Sequence, residues 1–164
     1  MKRTFIFLCA AIFGITAGII CGTVFAVTAV TDRTMEPNYL EGDHVLLQCR
    51  FEEYDRLQRG DVVIFENHLY QKTGESGLMM KRIIGLPGEE IWMYNGRVYV
   101  NGDLLNDSWP DTYGRGADMM EPQIVPKGCY FVLGDNRRQS TDSRDETVGM
   151  INEDEIIGKV IRQW

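Results

Sequence analysis

The sequence predicts a mainly β protein: a small multi-strand domain tethered by one N-terminal transmembrane helix. Short β-branched and aromatic runs, each set off by turn residues, recur from residue 44 to the C-terminus. Upstream, no charged residue stands between Arg3 and Asp32, a stretch sufficient for a helix to cross roughly 30 Å of hydrocarbon. At 164 residues the chain holds one domain plus an anchor.

Residues 1–4 carry Lys2, Arg3 and the amino terminus, which favours the cytoplasmic side and places the following domain outside. The helix is predicted over residues 5–23. The apolar run continues to about residue 30, but VFAVTAV turns β-branched and predicts a strand from about 24 to 31. A cleavable signal peptide ending at Val27-Thr28-Ala29 is the alternative; its apolar core would greatly exceed the usual length of about 7–15 residues. Residues 24–164 then form the extracytoplasmic domain. HVLLQ, DVVIF, KRIIGL, EIWMY, RVYVNG, CYFVL and GKVIRQW read as its strands. Asn95-Gly96 is a hairpin signal between EIWMY and RVYV, and Asn101-Gly102 marks a second turn. FEEYDRLQ and the acidic INEDEII are ambiguous between helix and strand. Residues 103–126, polar and interrupted by proline and glycine, predict a long surface excursion.

Composition excludes several function classes. A formal charge of −7 and the lack of a basic stripe argue against nucleic acid. There is no Cys-x-x-Cys and no His pair, so neither metal nor cofactor is expected. His44 and His68 each stand alone. Cys9 and Cys21 fall in the apolar segment and read as small hydrophobes. Cys49 and Cys129 pair only if the fold brings them together.

Three segments can carry chemistry. In TMEPNYLEGD, Thr34 offers a hydroxyl just where apolar sequence gives way to charge. In MMKRIIGLPGEE, Lys81 lies among Met79, Met80, Ile83 and Ile84, where desolvation would lower its pKa and leave a neutral amine able to accept a proton. The bland alternative is a strand lysine whose ammonium reaches water. The third segment, GDNRRQSTDSRDE, is dense in hydrogen-bonding groups and is otherwise a solvated loop with an internal Asp–Arg pair. A hydroxyl and a neutral lysine suffice for nucleophilic catalysis without histidine.

In order and company these segments resemble the blocks of bacterial type I signal peptidases, membrane-bound serine–lysine proteases that release exported proteins from their signal peptides. TMEPNYLEGD is similar to the family's Ser-Met-x-Pro block, GDVVIF to its second, KRIIGLPGE to its lysine block and GDNRRQSTDSR to its last. The resemblance runs from the anchor to the C-terminus. It implies Thr34 as nucleophile, Lys81 as general base and Ser140 as the hydroxyl that orients the amine. It further implies a structural ion pair of Asp142 with Arg144, supported by the Gly134-Asp135-Asn136 turn, and shallow substrate pockets at Met35, Met79 and Met80. The implied substrate is an Ala-x-Ala-type preprotein segment added as a strand. The implied surroundings are the outer face of a bilayer that an apolar surface approaches, with contact with the secretion machinery left open.

Three departures matter. Threonine replaces serine at residue 34, and its branched Cβ restricts the side chain. Asp32 stands where some relatives carry a hydroxyl donor, and a carboxylate there repels developing negative charge. Asn38-Tyr39 replaces Thr-Leu. These changes leave a second reading: a catalytically silent, membrane-tethered relative that binds extended peptides or partner proteins. Ser76 and Ser143 are poor alternative nucleophiles, one in the TGESG turn and the other inside the last block.

Overall fold

The computed structural model describes residues 24–49, 57–67, 77–105 and 119–164. The helix expected over 5–23 lies outside the described residues, and no described helix is long and apolar enough to cross a membrane.

The described chain is built from eleven strands: β1 (Phe25–Ala29), β2 (His44–Gln48), β3 (Val62–Glu66), β4 (Leu78–Gly85), β5 (Glu90–Tyr94), β6 (Arg97–Val100), β7 (Asp103–Leu104), β8 (Met120–Ile124), β9 (Cys129–Leu133), β10 (Ile151–Asn152) and β11 (Ile156–Gln163). They form a seven-stranded sheet in the order β1-β2-β11-β3-β4-β9-β10 and a four-stranded sheet in the order β7-β6-β5-β8. Neighbours in both sheets are antiparallel.

Local sequence explains the second sheet. Asn95 and Gly96 both adopt positive φ, 50° and 74°, as the tight hairpin between β5 and β6 requires. Asn101 and Gly102 repeat the arrangement at 52° and 89° and fold β7 back onto β6. Side chains alternate along these strands. Ile91, Met93, Val98 and Val100 point inward, while Trp92 and Tyr99 stack on the other side with ring centroids 3.9 Å apart. The inward set packs on Ile84, Phe131 and Leu133, which joins the two sheets in one core. Gly85 permits this approach, because a Cβ there would lie 2.8 Å from the Ile91 side chain and 2.9 Å from Phe131 Cβ.

β4 is central, paired with β3 on one side and β9 on the other. Every residue after Leu78 in it is buried. That explains a nearly continuous apolar run rather than an alternating one. Its register with β3 sets Val63 opposite Lys81 and Val62 opposite Arg82, so the two adjacent cations leave the strand toward opposite faces.

One sequence expectation changes and two open readings are decided. The surface excursion does not begin at 103 or run to 126: β7 and β8 lie within those bounds, and Val125 is fully buried. β8 escapes sequence detection because it contains Pro122, which an edge strand, paired with β5 alone among the described residues, tolerates. INEDEII becomes β10, one 3-10 turn (Glu153–Glu155) and the start of β11. The Asn152 amide donates to Glu155 Oε2 at 2.7 Å, a capping box that starts a helical turn. Pairing of Ile156 with Phe65 then draws the chain into the sheet. Finally, Cys49 and Cys129 are free thiols. Cys49 follows β2 and Cys129 opens β9, with β11, β3 and β4 between those strands. At roughly 4.8 Å per strand that exceeds any disulfide's reach.

Candidate active site

Thr34 lies in the turn that follows β1. The Val30 amide donates to Asp43 O at 2.8 Å and the Gly42 amide to Val30 O at 2.9 Å, which closes the loop at its base. From the far side Asn136 ties it down: its amide donates to Thr34 O at 2.9 Å and its Nδ2 to Arg33 O at 3.1 Å. Gly134 makes room for this contact. A Cβ at that position would collide with the Ser140 side chain and stand 2.6 Å from Thr34 O. The turn of the last block therefore carries the Thr34 loop on its back.

Lys81 enters the same place from β4. It is fully buried, at 0% exposure, so the reading of an ammonium that reaches water is excluded. Its Nζ donates to Thr34 Oγ1 at 2.9 Å and to Met80 O at 3.0 Å. Burial holds the amine below the ordinary lysine range; the negative charges of Asp32 and Asp142 oppose that shift without cancelling it. No carboxylate forms an ion pair with Lys81 among the described residues. A buried amine without a counter-ion, against a half-buried hydroxyl, is a proton acceptor in waiting.

Ser140 is beside this pair without bonding the lysine. Its hydroxyl packs over Gly134 and donates toward Thr141 O at 3.5 Å, while Thr34 Oγ1 and Met80 O take the lysine's hydrogens. The orienting bond from Ser140 to Lys81 is therefore not formed, and the carbonyl of Met80 occupies that role in this structure. Asp142 and Arg144 do make the ion pair: Arg144 Nε donates to Asp142 Oδ1 at 2.8 Å and Nη2 to Oδ2 at 2.9 Å. Asp142 Oδ2 also accepts the Gly134 amide at 3.0 Å, so the pair fixes the turn that supports Thr34.

A second buried ion pair is not legible in the sequence. Arg82 Nε donates to Asp135 Oδ1 at 2.7 Å and Nη2 to Oδ2 at 2.5 Å, with side-chain exposures of 9% and 1%. Asn38 Nδ2 donates to the same Asp135 at 2.7 Å, giving one departure from the family pattern a definite partner. The available signal was a second cation inside an apolar strand, which demands a buried acid.

Beside the dyad runs a shallow open groove of about 100 Å³, lined by Thr28 to Asp32 at the end of β1, Ile64 of β3 and Leu78 to Met80 of β4. Met79 and Met80 thus reach the groove. Met35 does not; at 0% exposure it is packed beneath with Val30, Val45, Leu47 and Met80. Ser143 is structural, its hydroxyl accepting the Val132 amide at 2.9 Å, and Ser76 lies outside the described residues. His44 is exposed and stacks on Trp164; His68 also lies outside the described residues. No group able to hold a metal occurs among the described residues.

A hydroxyl within hydrogen-bond reach of a buried amine, on an antiparallel β scaffold, has the groups that nucleophilic hydrolysis uses. The comparisons specify the family. Residues 2–164 match the signal peptidase family, peptidase S26, and the chain belongs to that family. It is 31% identical to signal peptidase I V of Bacillus subtilis (strain 168), over 98% of each chain. Against signal peptidase I of Bacillus amyloliquefaciens it is 30% identical, over 88% of this chain and 78% of that one. Signal peptidase IB of Staphylococcus aureus (strain N315) is 31% identical, over 85% and 79%. A crystal structure of a signal peptidase I from Enterococcus faecalis V583 aligns with 65% of this chain and 97% of its own, at 28% identity and a TM-score of 0.45.

Proposed function

We propose that the protein is a signal peptidase I in which Thr34 is the nucleophile and Lys81 the general base. One observation carries the assignment of roles: Lys81, fully buried and without an ion-pair partner among the described residues, has its amine 2.9 Å from the Thr34 hydroxyl. Once Lys81 is neutral, its lone pair takes the hydroxyl proton as Thr34 Oγ1 attacks the scissile carbonyl. The C–N bond then breaks, the leaving amine takes the proton from Lys81, and an acyl-threonine remains. Water, deprotonated by the same amine, hydrolyses that ester and restores both groups.

The groove supports the substrate class. Among the described residues β1 is an edge strand paired with β2 alone, so an extended peptide can lie beside it. The groove, about 100 Å³ and lined in part by Met79 and Met80, offers apolar contact to the small side chains of an Ala-x-Ala cleavage site. Phe25 and Val27 of β1, Leu78 at the groove and Trp164 at the chain end are exposed apolar groups suited to a bilayer surface. The uncharged run before residue 24 supplies a single anchor with the domain on the outer side.

Incubating the detergent-solubilised protein with a preprotein and weighing the products tests the assignment. A mature chain released after a small residue is expected. If the preprotein stays intact with wild type and with Thr34→Ser, the silent, peptide-binding relative replaces this reading. The contact of Asp32 with the Thr34 hydroxyl is the observation that keeps that alternative in play.

A further inference from the structure

Asp32 Oδ1 accepts two hydrogen bonds from residue 34, one from the hydroxyl at 2.7 Å and one from the backbone amide at 2.9 Å. These two groups have other work in acyl transfer. The hydroxyl oxygen must bond the substrate carbon, and its proton must turn to the amine of Lys81. The amide of a nucleophile is a donor suited to the oxygen that becomes negative, as in other hydroxyl hydrolases. An oxygen within hydrogen-bond reach of both atoms sits almost where that oxyanion must sit.

We propose that Asp32 is an internal blocker of the nucleophile: its carboxylate oxygen fills the oxyanion position, holds the hydroxyl proton away from Lys81, and must swing out before a carbonyl is attacked. The inference rests on Thr34 being the nucleophile. Asp32 is half-exposed at the end of the groove, so the movement needs only solvent. A peptide laid in the groove meets Asp32 directly, which makes substrate itself the release. Lys81 also feels the charge of Asp142, which is paired with Arg144, while Arg82 and Asp135 neutralise each other on the opposite face of β4.

The test uses full-length protein in detergent and a small acyl donor, 4-nitrophenyl acetate. The acetyl group passes to Thr34 Oγ1, 4-nitrophenolate leaves, the proton rests on Lys81, and peptide mass mapping locates the adduct. Acylation is followed across pH for wild type, Asp32→Gly, Asp32→Ser and Asp32→Asn, with thermal melts to confirm folding. On the alkaline plateau, where Lys81 is already neutral, Asp32→Gly and Asp32→Ser are expected to be acylated at Thr34 about tenfold faster or more, because an oxyanion donor is typically worth about 10²–10³ in rate. A smaller gain is expected for Asp32→Asn, which keeps an accepting oxygen but no charge. A plateau that does not rise in Asp32→Gly and Asp32→Ser overturns the blocker, even if the acid limb moves, since Asp32 then acts only through the charge on Lys81. Absence of any acyl-Thr34 overturns it too. Preprotein cleavage, assayed in parallel, judges the function separately: faster acylation with no cleavage by any variant keeps the blocker and removes the peptidase assignment.

Discussion

Lys81 Nζ and Thr34 Oγ1 stand 2.9 Å apart although 47 positions separate them in the chain. The contact exists because β4 is central and buried while the Thr34 loop meets the face of β4 that carries Lys81, held by Asn136 and Gly134. An amine so placed loses its proton more readily than a free lysine, and most consequences of the structure follow from that.

Changing Thr34 separates its oxygen from its methyl. Thr34→Ala removes the attacking atom, so cleavage of a preprotein should vanish. Stability should fall by no more than about 1 kcal/mol, the worth of an ordinary hydrogen bond at a half-buried site. Thr34→Ser keeps the oxygen, frees the first torsion and should raise turnover. An active Thr34→Ala protein would place the nucleophile elsewhere.

The activity of wild type should rise with pH along a limb centred below the ordinary lysine pKa of 10.5, because the amine must be neutral and burial depresses its pKa. Folding stability carries the same signature. Between the depressed folded pKa and 10.5 the unfolded chain binds a proton that the native chain does not, so stability should increase with pH across that window. Below the folded pKa the penalty for charging the buried amine is fully present. Lys81→Met should fold, lose cleavage and show neither the limb nor this rise in denaturant titrations at several pH values. Retained turnover in Lys81→Met would remove lysine from the mechanism.

Asp135→Ala should destabilise the domain by about 3–5 kcal/mol, since it strands the Arg82 guanidinium behind β4 without its acid. Asn38 would lose a partner as well. Urea unfolding measures the cost. A loss under 1 kcal/mol would show that water reaches Arg82 once the acid is gone.

Gly134→Ala should cost about 1–3 kcal/mol and most of the activity together, because overpacking at this point must be relieved by moving something. Ser140 can shift its hydroxyl, but Thr34 O is backbone and carries the Thr34 side chain with it. Unfolding and preprotein cleavage on one preparation test the coupling. Normal turnover would mean that the Thr34 loop does not depend on this wall.

Much of the molecule was determined by local sequence. Asn95-Gly96 and Asn101-Gly102 encode their turns through positive φ, and the alternating β5 and β6 encode a sheet with one buried face. These features depend on neighbours in the chain, so pattern suffices to find them. Lys81 inside an apolar run left a perturbed amine and a strand lysine reaching water both open, and the resemblance of the last block implied the pair of Asp142 with Arg144. What required the fold depends on groups far apart or on a choice among rotamers. Arg82 meets Asp135 because β4 lies beside β9, and Met35 goes under the groove rather than into it. Ser140 leaves the lysine to the carbonyl of Met80, a contest between acceptors that distances decide. Asp32 lies two residues from Thr34, yet only its side-chain torsion turns it from a nearby charge into an oxygen against the Thr34 hydroxyl and amide. Sequence placed the reacting groups in the chain; packing set the angles and distances on which their chemistry depends.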